Sequence, residues 1–423
     1  MRVGYVVHTY PAISHAFISR EVEGLRRAGA DVHTLSVHRA GEEHVRSESD
    51  RREAAGTDWI LPVSPLRLAA AHLRALGHPM AYLKTLRFAV GQAPGGLRAC
   101  LWQVFYFAEA IYVWAWARRH RLEHLHAHLA NVATDDAWLA TIFDRFADPQ
   151  GHWTWSFTMH GPTEFFAVRR FNLAAKVAAA DCVVCISDFC RSQLMLLCPP
   201  SSWEKLVVVR CGADLERYRF RPPRPMGGSM AVLCVGRLVP RKGQAILLEV
   251  LASLAGRMAI TVTLAGSGPE EGTLRQLAER LGIASSVTFA GPVGQDELPG
   301  LFARHDVFCL PSFAEGVPVV LMEAMAVGLP VVSTPIAGVP ELVEHAVSGL
   351  LVPPGRADAL AQALSSLTGD QPLVQKLAAA GRTVVEERFD SARCAAQLAA
   401  QFQHCPRAAP APPSSEQDLL HDL

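Results

Sequence analysis

The chain has 423 residues, of which 50% are hydrophobic and 19% are charged, so it holds enough apolar material for two packed domains. Its 40 basic and 40 acidic side chains cancel, which argues against nucleic-acid binding because that function needs a net basic surface. The ten cysteines follow no regular spacing, and many lie in apolar runs. We therefore expect reduced core cysteines in a cytosolic protein rather than disulfides.

The first half of the chain alternates predicted strands with predicted helices. A strand over Val3–Val7 precedes an amphipathic helix over Phe17–Ala28, which Gly29 ends. Residues 64–120 look helical, with a break around 91–96. Further strands are predicted at 32–37, 125–127, 155–159, 182–186 and 206–209. This alternation is typical of a parallel sheet covered by helices on both faces.

The most apolar stretch runs from Leu101 to Ala117 and is followed by the basic run at 118–121. It is short for a bilayer-spanning helix, which needs about 20 apolar residues. Two interpretations stay open: a helix buried in the protein, or an interfacial helix that faces anionic lipid. The N-terminus has no long apolar segment with a cleavage site, so we expect no signal peptide.

The second half repeats the strand–helix pattern after a linker rich in proline and arginine at 217–225. Strands are predicted at 231–235, 259–265, 287–290, 307–310 and 330–333, and residues 371–403 look helical. We predict an α/β protein of two doubly wound, Rossmann-like domains, residues 1–216 (with the helical insertion at 64–120) and 226–384, facing across a cleft. Ligands of such sheets bind at the carboxyl ends of the strands, so the cleft is the expected site. The tail at 406–423 has a disordered composition.

Two glutamates with seven residues between them, Glu315 and Glu323, flank the predicted start of a helix. Pro318 fits the first turn of this helix, where the missing N–H costs nothing. An anion at that helix start would meet free backbone N–H groups and the positive end of the helix dipole. With a carboxylate on each side to hold hydroxyl groups, the pattern favours a nucleotide sugar as ligand.

Two cations follow the strand that opens the second half, in the run Gly236-Arg237-Leu-Val-Pro-Arg-Lys242-Gly. Gly236 permits a tight turn, and Arg237 with Lys242 can neutralise a diphosphate. Gly266-Ser-Gly-Pro follows the next strand, but no acidic residue ends the strand after it, which argues against a nicotinamide cofactor. Gly266, Gly291 and Pro292 remain candidates for backbone contacts with a nucleotide.

Three histidines of the first half are candidate polar groups. His160 leaves a predicted strand into a Gly-Pro turn, where it can bond a sugar hydroxyl or serve a structural role. His126 and His128 alternate along a strand and share one face. A metal site needs at least a third ligand, and the sequence indicates none, so no metal is predicted.

These motifs together resemble the family 4 glycosyltransferases, retaining enzymes of the GT-B fold. The Glu315-x7-Glu323 pair, Gly236-Arg237 with Lys242-Gly, the Gly-Ser-Gly-Pro loop and Pro-x-x-x-Glu-Gly-x-Pro carry the resemblance, which covers most of the chain. The opening Tyr-Pro-Ala-Ile-Ser14-His15-Ala-Phe-Ile, His126-Ala-His128 and Thr-x-His160-Gly are similar to bacterial exopolysaccharide and colanic-acid-type transferases.

The resemblance implies a role for each matching residue. Arg237 and Lys242 would hold the donor diphosphate, Glu323 the ribose and Glu315 the donor sugar. The N–H groups around Gly316 and Val317 would help to seat that sugar, and His160 would contact it near the reacting carbon. Ser14 and His15 would lie on the acceptor side, although His15 and Ala16 replace the Glu and Thr of the family's opening motif. The helix at 385–405 would cross back to the first domain.

The resemblance therefore implies a retaining, metal-independent glycosyltransferase that needs no cofactor. Its donor would be a UDP-sugar or GDP-sugar, and its acceptor a saccharide or lipid-linked saccharide of exopolysaccharide or cell-surface glycan synthesis. We expect a cytoplasmic protein, with peripheral contact to the inner-leaflet membrane as an open alternative. A non-catalytic nucleotide-sugar-binding scaffold and a GT-B nucleotide-sugar epimerase are the competing functions.

Overall fold

A computed structural model describes residues 1–12, 15–42, 45–93, 95–151, 153–226 and 228–406. The chain divides into two units, each built on its own sheet. The first comprises Met1–Val209 with the chain from Ala395 onward, and the second comprises Arg210–Cys394. The chain thus enters the second unit at Arg210, ahead of the proline-rich segment at 217–225.

The first unit contains a seven-stranded sheet in the order β3-β2-β1-β4-β5-β6-β7, and all of its strand pairs are parallel. The strand numbers increase in both directions from β1, so β1 and β4 flank the topological switch point. Strand β3 was not predicted because its five residues follow a charged helix without an apolar alternation. The strands are β1 (Arg2–Tyr10), β2 (Asp31–Arg39), β3 (Thr57–Leu61), β4 (His124–His128), β5 (Thr154–Met159), β6 (Cys182–Cys185) and β7 (Leu206–Val208).

The helices of the first unit cover this sheet. In α1 the buried residues Ile18, Val22 and Leu25 recur at helical spacing, which gives the helix one face toward the sheet. The helices are α1 (Ala16–Arg27), α2 (Glu48–Gly56), α3 (Pro65–Ala75), α4 (Pro79–Gly91), α5 (Leu97–Arg119), α6 (Val132–Ala147), α7 (Thr163–Phe166), α8 (Leu173–Ala179) and α9 (Asp188–Leu196).

The predicted helical insertion consists of α3, α4 and α5, with a second break that was not predicted at Leu76–His78. Pro79 explains this break, because proline starts a helix readily but cannot continue one. Helix α5 is buried mainly from Phe107 onward, while its first turns are exposed. Within the described ranges, no helix combines the length and apolar character needed to cross a membrane.

The second unit contains a six-stranded parallel sheet in the order β10-β9-β8-β11-β12-β13. Here β8 and β11 flank the switch point. The strands are β8 (Ser229–Val235), β9 (Ala259–Ala265), β10 (Val287–Gly291), β11 (Val307–Leu310), β12 (Val331–Ser333) and β13 (Leu350–Leu351). The helices are α10 (Gln244–Leu254), α11 (Glu271–Arg280), α12 (Leu298–Phe302), α13 (Val319–Val327), α14 (Val339–Leu342), α15 (Ala357–Leu367) and α16 (Gln371–Arg388).

The last helix, α17 (Ser391–His404), begins in the second unit and continues into the first. Its Leu398 and Phe402 lie in the core of the first unit, together with Tyr5 and Val184. The tail from residue 407 lies outside the described residues. All ten cysteines are free, eight of them buried, as expected for reduced core residues. The prediction of two Rossmann-like parallel sheets is confirmed.

Candidate active site

The predicted donor-binding residues of the second unit gather at one edge of its sheet. All of them except Glu323, which lies inside a helix, are at or just after the carboxyl end of a strand, and those strands are neighbours in the sheet. Ligands of doubly wound sheets bind at this edge. The residues are Gly236, Arg237 and Lys242 after β8, Gly266 after β9, Gly291 and Pro292 at the end of β10, and Glu315, Gly316 and Val317 after β11.

Glycines let the loops at this edge approach one another closely. The N–H of Gly236 donates to the carbonyl of Ala265 at 2.9 Å, and the N–H of Gly266 donates to that of Gly291 at 2.7 Å. A Cβ at Gly266 would lie 2.0 Å from the carbonyl oxygen of Gly236, and Gly266 has a positive φ of 142°. Only glycine therefore fits there, and backbone atoms are left exposed to a ligand.

Lys242 and Glu315 meet at the switch point of the second sheet. Lys242 follows β8 and Glu315 follows β11, the two strands that flank that point. The Lys242 Nζ lies 2.6 Å from Oε1 of Glu315, and the side chains are 11% and 7% exposed. A buried ammonium that touches one carboxylate oxygen retains two further N–H donors, so it can also bind a phosphate oxygen.

A hydroxyl group helps to hold Glu315 in place. The Ser312 Oγ donates to the same Oε1 atom at 2.7 Å, and the carbonyl of Ser312 accepts from the Thr334 hydroxyl at 2.6 Å. Both contacts of Glu315 use Oε1, so neither occupies Oε2, which keeps its capacity to accept from a ligand hydroxyl. Ser312 was not among the predicted site residues; its place at a strand end, three residues before Glu315, is the sequence signal that points to it.

Arg237 lies in the same loop as Lys242 but is exposed. Its backbone carbonyl accepts a hydrogen bond from the Gln244 Nε2 at 3.0 Å, which ties the loop to the start of α10. The described contacts do not connect its guanidinium to Lys242 or Glu315. The structure therefore brings Lys242 and Glu315 together and leaves the Arg237 side chain at the surface of the same loop.

Helix α13 places the second glutamate. Pro318 was predicted in the first turn but precedes the helix, because its ψ of 117° is extended. Glu315 lies in the loop before α13, as predicted, and Glu323 is buried at 1% exposure inside it. The carbonyl of Gly316 accepts from the Gly338 N–H at 3.1 Å, which anchors the loop. Val317 is buried beside it.

In the first unit, His160 follows β5 and contacts His128 at the end of β4. The His160 Nε2 lies 2.9 Å from the His128 Nδ1, and the His128 Nε2 lies 3.0 Å from Oε1 of Glu21 on α1. Burial, His128 and His15 lower the pKa of His160 well below its usual range, so it is neutral near pH 7. The link to Glu21 was not predicted, because it depends on how α1 packs on the sheet.

His124 and His126 continue this polar face along β4 and contact hydroxyl groups of β5. The Nδ1 and Nε2 of His126 lie 2.7 Å from the Ser156 Oγ and 2.9 Å from the Thr158 Oγ1. Both nitrogens of His124 are bonded in the same way, to Thr154 and Ser156. Burial lowers the pKa of His124 to about 3 and that of His126 well below its usual range.

Glu21 lies near His126 and His128 and is a third possible metal ligand that was not predicted. Ligand atoms of Glu21, His126 and His128 lie within 4.8 Å of one another, close enough to share a metal ion. However, both nitrogens of each histidine already contact protein groups. Those contacts would have to break before a metal could bind.

The acceptor-side candidates are placed only in part. Ser14 lies outside the described residues. His15 precedes α1 as its N-cap residue, is half-buried, and has its ring 6.0 Å from that of Phe17. The Phe17 ring in turn lies 4.5 Å from that of His160, so the start of α1 adjoins the His160 region.

Part of the second unit matches a known protein family. Residues 218–384 match the family described as Glycosyl transferases group 1. The chain is 28% identical, over 95% of its length and all of the relative, to a Salmonella typhimurium protein named as a colanic acid biosynthesis glycosyltransferase. It is 35% identical to a GDP-mannose-dependent phosphatidylinositol monomannoside mannosyltransferase of Mycobacterium tuberculosis, over 52% of this chain and 60% of that protein.

Solved structures show the same fold at low sequence identity. The sucrose-phosphate synthase of Thermosynechococcus elongatus superposes with a TM-score of 0.71 at 19% identity, over 96% of this chain and 98% of that one. The Anabaena protein HepE, solved in complex with UDP-glucose, superposes with a TM-score of 0.68 at 20% identity, over 96% and 100%. Residues 218–384 are thus a group 1 glycosyltransferase domain, in a chain that has the GT-B fold and is homologous to a colanic acid biosynthesis glycosyltransferase.

Proposed function

We propose that the protein is a retaining glycosyltransferase that moves a sugar from a nucleoside-diphosphate sugar to a saccharide or lipid-linked saccharide. The observation that carries this proposal is the buried Lys242–Glu315 contact at the switch point of the second sheet, bordered by three glycine turns. A cation, a carboxylate and exposed backbone at one edge match a ligand that combines phosphates with hydroxylated rings. The names of the relatives support exopolysaccharide or cell-surface glycan synthesis as the setting.

Each residue then has a role in binding the donor. Lys242 and the exposed Arg237 bind the diphosphate, and the backbone at Gly236, Gly266, Gly291 and Pro292 lies along the nucleotide. Glu323 binds the ribose and Glu315 the hydroxyls of the transferred sugar. The N–H groups around Gly316 and Val317 help to seat that sugar, and His160 contacts it near the reacting carbon.

The chemistry follows from the charge that develops on the leaving group. As the bond between the sugar and the diphosphate breaks, negative charge grows on the phosphate oxygens. Lys242 is already held in place by Glu315, so it stabilises that charge without reorganisation, which is the most effective form of electrostatic catalysis. The departing phosphate oxygen takes the proton of the acceptor hydroxyl. The cations supply the positive charge, so we propose that no metal ion or cofactor is needed.

A second surface supports contact with a lipid-linked acceptor. Between Trp59 and Ala108 every charged side chain is basic, and all of these side chains are exposed: Arg67, Arg74, Lys84, Arg87 and Arg98. Large apolar side chains are exposed on helices α3, α4 and α5 and at the end of α3: Leu66, Leu73, Leu76, Met80, Leu83, Leu97, Leu101, Trp102, Val104 and Phe105. We call these residues the α3–α5 surface.

The three helices of the α3–α5 surface pack on one another. The Tyr82 hydroxyl of α4 lies 2.9 Å from the His72 Nδ1 of α3, and its ring packs on that of Phe107 in α5 at 4.9 Å. Exposed apolar and basic side chains on one set of helices suit an anionic bilayer surface, where burial and charge attraction add. We propose that the protein binds the inner leaflet of the cytoplasmic membrane through this surface.

The donor assignment is tested by ligand binding and turnover together. Thermal unfolding is followed with UDP, GDP and a panel of their sugars, because a specific ligand stabilises the folded state by mass action. Release of nucleoside diphosphate from the sugar that stabilises most is then measured. We expect one nucleotide series to raise the unfolding temperature and its sugar to be hydrolysed slowly. Stabilisation without any release would indicate a binding scaffold instead.

A further inference from the structure

A line of hydrogen bonds joins four buried or half-buried side chains in the first unit. The His160 Nε2 contacts the His128 Nδ1 at 2.9 Å, and the His128 Nε2 contacts the Glu21 Oε1 at 3.0 Å. The Tyr5 hydroxyl donates to the same Glu21 oxygen at 2.5 Å. The side chain of His128 is fully buried, and that of Glu21 is 16% exposed.

The topology of the first sheet brings these groups together. His128 ends β4 and Tyr5 lies in β1, and these strands flank the switch point. His128 is in register with Thr158 on β5, so His160 lies two residues beyond that partner. Glu21 reaches the pair from α1, where Phe17, one turn earlier, packs on the His160 ring at 4.5 Å.

The carboxylate sets the direction of the hydrogen bonds. An ionised carboxylate only accepts, so the His128 Nε2 must carry the proton and donate to Glu21. With one proton on the ring, at Nε2, the His128 Nδ1 is left as an acceptor. The His160 Nε2 must then donate to it, and the Nδ1 of His160 becomes an acceptor.

The other two histidines on this face lack such a constraint. His124 and His126 contact hydroxyl groups, which donate or accept equally well, and therefore fix no tautomer. Among the described residues of this face, the bond to a carboxylate is specific to the His128–His160 pair. His124 consequently provides a matched control, being buried, on the same strand and bonded on both nitrogens.

We propose that Glu21 and His128 are positioning residues that hold His160 as the Nε2–H tautomer, so that its Nδ1 accepts a hydrogen bond from a hydroxyl of the donor sugar. The proposal rests on the proposed function, in which His160 contacts that sugar. In metal sites, the groups that orient a ligating histidine through its other nitrogen typically matter by about 10- to 100-fold, and Glu21 would act on His160 in a comparable way through His128. We expect a loss of that size in turnover when the carboxylate is removed.

The direct test is the tautomer of His160 in the intact protein. Two-bond ¹H–¹⁵N spectra of the histidine-labelled chain report which ring nitrogen is protonated, and the His160→Gln variant identifies the signal. We expect a protonated Nε2 in the wild type and in His124→Gln, and a mixture of tautomers in Glu21→Gln. A protonated Nδ1 in the wild type would overturn the proposal, as would zinc that co-purifies with the chain and is lost in Glu21→Gln.

Kinetics provide the second readout. We expect Glu21→Gln and His128→Gln to lower kcat for donor turnover about 10- to 100-fold, with nucleoside diphosphate affinity within about twofold of wild type. His124→Gln should keep kcat within about threefold. Wild-type kcat in Glu21→Gln would contradict the proposal. If the wild type turned over no donor, the proposed function would fail, but the spectra would still show which nitrogen of His160 is protonated. If Glu21→Gln did not fold, the wild-type spectrum alone would test the predicted tautomer of His160.

Discussion

At the residue scale, the Lys242–Glu315 contact shows why two distant motifs belong to one site. Lys242 follows β8 and Glu315 follows β11, and these strands are neighbours although the motifs are far apart in the chain. Strand ends can be predicted from a sequence, so the meeting of these loops was foreseeable. The position of Ser312 carries a sequence signal, but its hydrogen bond to Glu315 and that of His128 to Glu21 were not foreseeable, since they depend on side-chain packing.

A buried acidic pair in the first unit is a further residue-scale feature. Glu109 on α5 and Asp136 on α6 are 3% and 0% exposed. None of their four carboxyl oxygens has a hydrogen-bond partner among the described residues. Burial raises the pKa of Glu109 to about 7, and burial together with Glu109 raises that of Asp136 well above its usual range. The pair therefore stays protonated at acid pH.

This pair predicts that stability depends on pH. Because the folded pKa of Glu109 is raised, the unfolded chain binds fewer protons than the folded one between about pH 4.5 and 7, and stability falls as pH rises through that window. Glu109→Gln removes the ionisation and should stabilise the protein at pH 8.5 by roughly 1–3 kcal/mol, with little effect at pH 4.5.

The fluorescence of tryptophan can follow this change, because all eight tryptophans lie in the first unit. The measurement is the unfolding midpoint of wild type and Glu109→Gln as a function of pH. The exposed Glu23→Gln should follow the wild-type curve. A pH-independent difference between Glu109→Gln and wild type would show that the acidic pair does not titrate in this range.

At the scale of elements, the regular pattern of strands was predictable and the short or charged ones were not. Apolar runs predicted β1 and β8 within a few residues, whereas β3 and the two-residue β13 carry too little periodicity to be recognised. The sequence of helix α5 likewise did not decide its environment. Its apolar run left a buried and an interfacial interpretation open. The structure buries most residues from Phe107 onward and exposes most residues between Leu97 and Phe105.

Helix α17 is the element whose packing joins the end of the chain to the first unit. Phe402 is 3% exposed, and its ring lies 4.6 Å from that of His124 and 4.9 Å from that of His126. Truncation of a buried phenylalanine to alanine typically costs about 3–5 kcal/mol. We expect Phe402→Ala to lower the urea midpoint followed by tryptophan fluorescence, and the exposed neighbour Gln403→Ala to leave it unchanged. Equal midpoints for both variants would mean that α17 contributes no stability.

The α3–α5 surface predicts membrane binding that depends on lipid charge. Wild-type protein should float with phosphatidylglycerol vesicles at low salt, remain unbound with phosphatidylcholine, and dissociate as salt screens the arginines. The variant Leu97→Glu/Leu101→Glu should bind about tenfold more weakly, because it removes apolar contact and adds negative charge. Leu196→Glu, at a side chain that is 60% exposed on α9, is the matched control. Wild-type protein that stays unbound with both vesicles would contradict the prediction.

At the scale of the whole molecule, the two sheets share one design. Each has a switch point with a pair of polar groups beside it: Lys242 with Glu315 in the second unit, and His128 with Glu21 in the first. Two Rossmann-like sheets could be predicted because both halves repeat the same strand–helix alternation, and the resemblance to family 4 glycosyltransferases implied the GT-B fold. The sugar, the base and the acceptor could not, because the contacts that select them depend on side-chain positions rather than on strand order.

The central claim is that a nucleotide sugar reacts at the Lys242–Glu315 site, and the measurement is nucleoside diphosphate release by wild type and Lys242→Ala. We predict that wild type cleaves one donor series and that the variant loses about 10²- to 10³-fold in kcat, because a preorganised charge at the leaving group is removed. The exposed Lys376→Ala on α16 should match wild type, and circular dichroism should confirm that each variant is folded. If folded Lys242→Ala released nucleoside diphosphate at the wild-type rate, the result would contradict the account.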